Sequence, residues 1–301
     1  MKKLLRQVVL IPIRIGDTYA QLVSRRWSGI AAEWNDRAYR RLRDLFATVH
    51  YEGARGSIEL VLRTPNEVCR YRAETFATKE PETLEWIESF GGSGAFYDVG
   101  ANVGLYSLFF AKMHSGRVFA FEPSALNLGL LVRNVSDNGL SSRIVIVPNP
   151  LTERNQVSAF HLSMLDEGGA MSTFGQDYGH DGRTLASQLD YETSGLSLDF
   201  LLETGILPET PSLLKIDVDG IEHLVLRGAK RTLSSPTLIS VLIEVNDSFR
   251  LLADEVSHIL SDAGFSLRER RQSEMFEGGA FSDTFNQIWV RGPSSNSKTG
   301  E

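Results

Sequence analysis

The chain is 301 residues long, 42% hydrophobic and 23% charged, an ordinary balance for a globular protein with a sizeable core. Its net charge of −7 argues against non-specific binding of nucleic acid by the chain as a whole, and no apolar run is long enough to span a bilayer. The single cysteine, Cys69, excludes an intramolecular disulfide and a cysteine-cluster metal site and agrees with a reducing cytoplasm, the expected compartment.

Residues 1–55 are basic and read as a helical extension. Lys2, Lys3, Arg6, Arg14, Arg25, Arg26, Arg37, Arg40, Arg41, Arg43 and Arg55 outnumber the acids, and Leu22, Trp27, Ile30, Trp34, Leu42, Leu45 and Phe46 recur at mostly helical intervals. Two readings fit. One is an amphipathic arm in peripheral contact with an anionic membrane face or acidic glycan. The other is a helical layer packed on the rest of the chain or on a second copy in a homo-oligomer. Charged faces are usually just solvated, which favours the second.

From Gly56 to Arg63 the residues alternate as a strand, and Thr64-Pro65-Asn66-Glu67 reads as a turn into another strand. Thr78 or Lys79 then precedes a helix with Glu80 and Glu82 in its first turn and Leu84, Trp86 and Ile87 on its buried side. Acids at a helix N-terminus suit the macrodipole. Gly91-Gly92-Ser93-Gly94 ends that helix.

The stretch Ala95-Phe96-Tyr97-Asp98-Val99-Gly100-Ala101-Asn102-Val103-Gly104 is an apolar strand that stops in a tight turn and enters a helix. Gly100 and Gly104 permit a positive φ or close packing, and Asn102 tolerates turn geometry. The N–H groups opening the helix face the crevice where open α/β sheets bind ligands. Arg117 to Phe121 forms a second buried strand ending in Glu122, whose carboxylate can accept from the vicinal hydroxyls of a ribose. Together the two stretches predict a nucleoside-containing cofactor. A dinucleotide fingerprint wants a middle glycine where this chain has Asn102, and Asp98 adds negative charge beside the turn. Both features suit the cationic S-adenosylmethionine (SAM) better than a pyrophosphate.

Ser124 is a plausible N-cap for a helix to about Asn138, which Gly139 ends. Arg143 to Val147 is a third strand, and Asn149, just after it, is placed beside the adenine. Tightly alternating strands and helices imply right-handed parallel crossovers. Glu167 to Gly182 is glycine-rich and reads as an acceptor-binding loop. A short helix starts near Leu198. Ser212 to Gly220 supplies a fourth strand, Ile221 to Thr232 a helix, Leu238 to Val245 a fifth strand with Glu244 near its end, and Phe249 to Ala263 another helix. Phe265 to Arg270 and Phe285 to Val290 close the sheet. Residues 293–301 are a polar, disordered tail.

At this point Asp98-Val-Gly-Ala-Asn-Val-Gly104, Phe121-Glu122-Pro123, Leu198-Asp199, Leu214-Lys-Ile-Asp-Val-Asp-Gly-Ile-Glu222 and Val225-Leu-Arg-Gly-Ala229 together resemble the FkbM-type SAM-dependent methyltransferases. The resemblance covers about residues 56–291, and Lys79-Glu80-Pro81-Glu82-Thr83 is similar to one branch of that family. One departure is Asp219, where the family usually shows glutamate. The resemblance implies an α/β fold of the Rossmann-like class I methyltransferase type: a seven-stranded, mostly parallel sheet with helices on both faces. Here that domain spans 56–292 behind the N-terminal extension. It also implies methyl transfer to a hydroxyl of a sugar, glycan, glycolipid or natural product.

Gly100, Asn102 and Gly104 are expected to shape the cofactor pocket, Asp98 to accept from the cofactor's ammonium, Glu122 to hold its ribose, and Asp217 to position its sulfonium. A hydroxyl acceptor loses a proton, so a base helps; Asp217, Glu244 and His223 are the candidates, with His180 behind them. Asp217, Asp219 and Glu244 could in principle bind a divalent cation through oxygen, but no dedicated ligand spacing is present and no metal is expected. The competing readings are an NAD-dependent oxidoreductase and a non-catalytic SAM-binding scaffold.

Overall fold

The computed structural model describes residues 45–272, 274–276, 278, 279 and 281–292, together with 36, 37 and 41. Most of the basic arm and the whole C-terminal tail lie outside these residues.

The fold begins with a hairpin, β1 (Phe46–Gly53) and β2 (Gly56–Arg63). The helical reading of the segment up to Arg55 is therefore corrected at its end. In Phe-Ala-Thr-Val-His-Tyr-Glu-Gly every second residue is exposed, a period of two that no helix has. Ala47, Val49 and Tyr51 pack against the core instead.

The turn after β2 leads into a helix rather than a strand. Asn66 caps α1 (Glu67–Glu74), its Oδ1 accepting from the Cys69 N–H at 2.8 Å. Two more helices follow, α2 (Phe76–Lys79) and α3 (Pro81–Ser89), separated by Glu80 and started afresh by Pro81. Proline's fixed φ suits the first helical turn, and the residue before it is driven out of helical geometry. Glu80 accordingly sits at φ −141°, ψ 67°.

A seven-stranded sheet forms the centre, in the spatial order β11-β12-β10-β9-β3-β4-β5. Its strands are β3 (Ala95–Val99), β4 (Val118–Phe121), β5 (Ile144–Val147), β9 (Pro211–Ile216), β10 (Ser240–Asn246), β11 (Phe265–Arg271) and β12 (Thr284–Arg291). The first five run parallel to one another. β12 runs antiparallel between β10 and β11.

Helices cover both faces. On one, α3, α4 (Leu105–Met113) and α5 (Ala125–Asp137) bury Trp86, Phe109, Phe110 and Leu131 with Leu60 and Leu62 of β2. On the other, α6 (Leu198–Glu203), α7 (Glu222–Arg227), α8 (Lys230–Ser234) and α9 (Arg250–Asp262) bury Leu201, Val225, Leu233 and Val256. No helix among the described residues is long and apolar enough to cross a membrane.

Two expected elements differ in detail. The single helix expected over 221–232 is two short ones, because the Asp199 carboxylate takes the N–H groups of Arg231 and Thr232, each at 2.9 Å, and starts α8 separately. The less regular region after β5, in which Val157 to Leu162 reads as a strand from the sequence, holds a small antiparallel sheet, β7 (Ser172–Phe174), β6 (Gln156–Leu162) and β8 (Leu189–Gly195). Part of the expected acceptor loop is thus strand, with Phe174 fully buried.

Candidate active site

The chain runs from β3 outward through β4 to β5, then returns to β9 on the other side of β3. Such a switch of direction leaves a crevice at the carboxyl ends of the strands, where sheets of this type bind ligands. A cavity of about 350 Å³ lies there, within the size range of small-molecule sites.

Gly100 and Gly104 form one lip. Both have positive φ, 86° and 92°. A Cβ on Gly100 would stand 1.8 Å from the Asp217 carbonyl oxygen, and one on Gly104 would stand 2.6 Å from Leu131. The first glycine lets β3 and β9 end side by side; the second lets α4 approach α5. Asn102 between them also has positive φ, 52°. Its Nδ2 donates to the Gly169 carbonyl at 2.7 Å, while its Oδ1 is buried in the cavity wall without a partner.

Glu122 lines the same end. One carboxylate oxygen accepts from the Asn102 N–H at 2.7 Å and the other from the Ser124 N–H at 2.8 Å. Burial raises its pKa to about 7 against the lowering effect of those bonds. A carboxylate has about four acceptor sites, so room remains for ligand hydroxyls. Asn149 borders this end as well, anchored by Nδ2 to the Ser194 carbonyl at 2.9 Å.

Asp98, expected to accept from the cofactor's ammonium directly or through water, does not line the cavity. It is fully buried, and its Oδ2 accepts from Ser107 at 2.6 Å. Burial raises its pKa, and the nearby Lys215 ammonium opposes the rise. Lys215 stands opposite Asp98 in the β3–β9 register. It is 1% exposed, lies over the Tyr106 ring, and donates to Asp217 Oδ2 at 2.7 Å. A buried lysine survives only when paired; Asp217 first, then Glu80 and then Asp98 outweigh burial and hold it charged.

At the far end the helix break before Pro81 turns Glu80 into the cavity. Its Oε1 accepts from Lys79 Nζ at 2.6 Å, and the Tyr106 hydroxyl bonds the same carboxylate. Burial alone would raise its pKa; Lys79 and then Lys215 outweigh burial and bring it to about 2. Ligand oxygens of Glu80, Asp217 and Glu244 all lie within 4.8 Å of one another. Glu244 has no hydrogen bond or ion pair among the described residues. Burial first, and then the Asp217 and Glu80 charges, push its pKa well above the usual carboxylate range.

The two histidine candidates stand elsewhere. His223 is 3% exposed on α7, edge-on to Phe249, and burial lowers its pKa. His180 packs on Phe281. Neither lines the cavity. Glu222 caps the turn before α7, accepting from the N–H groups of Val218 and Gly220. Asp219, at φ 59°, lines the wall, but its Oδ2 accepts from the Met171 and Ser172 N–H groups, so it fixes the strap over the cavity. That strap, Gly168 to Ser172, is also tied to Arg72 and Asn127.

Arg72, Lys79, Glu80 and Lys215 line the cavity although none was among the expected site residues, even where the segments that carry the resemblance include them. A lone lysine inside Leu213-Leu214-Lys215-Ile216 was the available signal, since a charge in a buried strand needs partners.

The Methyltransferase FkbM domain matches residues 98–267, more than half of the chain. The 31-O-demethyl-FK506 methyltransferase FkbM of Streptomyces tacrolimicus is 30% identical over 206 residues, which are 60% of this chain and 76% of that protein. Among solved structures, a precorrin-6y C5,15-methyltransferase of Geobacter metallireducens GS-15 matches with a TM-score of 0.43 at 13% identity, covering 73% of this chain and 89% of the other. An rRNA methylase of Streptococcus thermophilus matches with a TM-score of 0.43 at 13% identity, covering 70% and 94%.

Proposed function

The chain belongs to the FkbM family of SAM-dependent methyltransferases, and on that premise we propose that it methylates a hydroxyl oxygen of a sugar, glycan, glycolipid or natural product. Family membership sets the oxidoreductase reading aside. The donor set fits the cofactor: an excess of carboxylates suits its cationic end, Asn102 offers a buried unpartnered oxygen, and Glu122 has acceptor capacity left. Bound SAM supplies an electrophilic methyl group.

In this reading Gly100, Asn102 and Gly104 shape the wall around the cofactor, Glu122 accepts from its ribose hydroxyls, and Asn149 borders its base. Asp217, held by Lys215, orients the methionine end. Asp98 acts from behind, by keeping Lys215 charged. Alignment of the two reactants supplies most of the rate.

The observation that carries the choice of a hydroxyl is Glu244. Its carboxylate faces the cavity unpartnered, with a raised proton affinity. Such a group can take the proton that an acceptor O–H gives up as the new C–O bond forms. The S. tacrolimicus relative is named for methylation at an oxygen, which supports the same class. The acceptor we infer is a small or lipid-linked molecule rather than nucleic acid.

Calorimetric titration with SAM, followed by transfer of labelled methyl onto hydroxylated acceptors, tests the proposal. Glu122→Ala is expected to abolish measurable SAM binding. Glu244→Gln is expected to lower kcat by about a hundredfold or more while SAM affinity is kept. Full activity in Glu244→Gln would overturn the assigned base, and SAM binding without transfer to any hydroxyl would favour the scaffold reading.

A further inference from the structure

In the sequence Asp217, Asp219 and Glu244 are oxygen donors without dedicated ligand spacing, and no metal is expected from them. The fold replaces Asp219, which is turned to the strap, by Glu80 from the break between α2 and α3. One oxygen from each of Glu80, Asp217 and Glu244 then falls within 4.8 Å of the others. Acids alone do not make a site, because lysines can satisfy them. Here Lys79 engages one oxygen of Glu80 and Lys215 one oxygen of Asp217. Two ammonium groups face these three carboxylates, and Glu244 forms no hydrogen bond or ion pair among the described residues, Lys79 acting on it only at longer range.

A separate feature on β12 points to the same place. Asn286 stands opposite Glu244 in the β10–β12 register and lines the cavity. It is 5% exposed, and its Nδ2 donates to Glu82 Oε1 at 2.7 Å. In this orientation the amide turns its Nδ2 to Glu82 and leaves its Oδ1 on the other side. The Oδ1 left over has no partner. Thr284, two residues earlier on the same face, is 7% exposed, lines the same cavity, and has an unpartnered hydroxyl. Buried acceptors without donors are uncommon and call for an explanation such as an ion.

We propose that this end of the cavity binds a divalent cation through Glu80, Asp217 and Glu244, with the Asn286 amide oxygen as a further ligand. The donors are all hard oxygens, with no histidine or cysteine, which selects magnesium, manganese or calcium over zinc or copper. Each carboxylate has two oxygens, so a residue that gives one to the cation has a second with which to engage a lysine, as Glu80 engages Lys79 and Asp217 engages Lys215. The use of the cation rests on the methyl-transfer reading above: bound to the acceptor hydroxyl, it lowers the pKa of that group and orients it. The site itself does not depend on that reading. Glu80 and Asn286 both lie outside the matched family domain at 98–267, which holds Asp217 and Glu244, so the flanking segments complete the set.

The test is titration of the full chain with Mn²⁺, read by the loss of the free-ion paramagnetic resonance signal, with S-adenosylhomocysteine present and its own affinity measured by calorimetry. One saturable Mn²⁺ per chain is expected, displaced by Mg²⁺. Glu80→Gln is expected to weaken Mn²⁺ by about tenfold or more. Lys79→Met removes a competing ammonium and is expected to tighten it. Both variants should bind S-adenosylhomocysteine as the parent does, which also reports that they are folded. Opposite shifts from two neighbouring variants cannot arise from misfolding. No saturable Mn²⁺ binding, or binding indifferent to Glu80→Gln, overturns the cation site. If S-adenosylhomocysteine still binds in that case, the methyltransferase reading stands alone; if neither binds, both fail.

Discussion

Glu122 is a carboxylate with good hydrogen-bond donors whose pKa is nevertheless raised to about 7, because its burial outweighs the Asn102 and Ser124 N–H groups. The sign of its effect follows from linkage. Its folded pKa is above the ordinary 4.5, so the native state holds the proton more tightly than the unfolded chain. Stability attached to this group is therefore fully present below about pH 4.5, falls as pH rises to about 7, and is constant beyond. At 1.36 kcal/mol per unit, the loss is about 3 kcal/mol at most. Urea denaturation of the ligand-free protein at pH 5 and pH 8 checks it. The parent should lose more stability over that interval than Glu122→Gln, in which the titrating group is gone; equal losses would sink the assignment. Glu222, raised by burial to about 7 as well, remains in both proteins and cancels in the comparison. At this scale the sequence disclosed only part of the site. Strand ends marked Glu122, Asp217 and Glu244 because an acid after an apolar run is conspicuous. It misplaced Asp98 and His223, since whether a side chain faces the crevice or the layer behind it depends on packing that spacing does not encode.

Asp199 belongs to the Leu198-Asp199 pair that carried part of the family resemblance, yet it does not line the cavity at the strand ends. Leu198 is fully buried, and Asp199 reaches from α6 to the start of α8. One of its oxygens accepts from the Arg231 N–H at 2.9 Å. The other accepts from the Thr232 N–H at 2.9 Å and the Thr232 hydroxyl at 2.7 Å. It serves as the N-terminal cap that α8 lacks from its own Ala229. Asp199→Ala should cost about 2 kcal/mol, read as a lower denaturation midpoint, and leave S-adenosylhomocysteine affinity unchanged. A loss of affinity at equal stability would instead tie α8 to the cofactor end. The same distinction explains which elements the sequence discloses. The core strands are short apolar runs bounded by glycine, proline and acids, and each signal is local. The helix expected over 221–232 divides because of a residue more than twenty positions earlier, and the strand at Phe46–Gly53 was masked by arginines and aromatics whose spacing also suits a helix.

The matched family domain ends at residue 267, but the sheet does not close there. β12, at 284–291, lies between β10 and β11, so residues 98–267 lack the strand that joins their last two. The segment in front is no less integral. Asn138 accepts from the Val61 N–H and donates to the Val61 carbonyl, and Asn134 accepts from the Arg63 N–H, fixing β2 on α5. Tyr51 and Phe76 both meet Phe109 edge-on, and Trp86 meets Phe96 while its indole N–H donates to Ser240. Removing residues 45–94 would bare Phe96, Phe109 and Phe110, each fully buried, at about 2 kcal/mol or more apiece. It would also remove Arg72, whose Nε donates to the Gly168 carbonyl of the strap at 2.7 Å. A fragment of residues 95–292 should therefore show no cooperative calorimetric transition and no S-adenosylhomocysteine binding. Residues 45–292 should retain both, because every contact described here lies within them. A cooperative, ligand-binding 95–292 fragment would demote the front layer to an accessory. Loss of folding in 45–292 would make the basic arm part of the core's support. The expected pair of results makes the folding unit and the complete cavity one object, larger at both ends than the family domain.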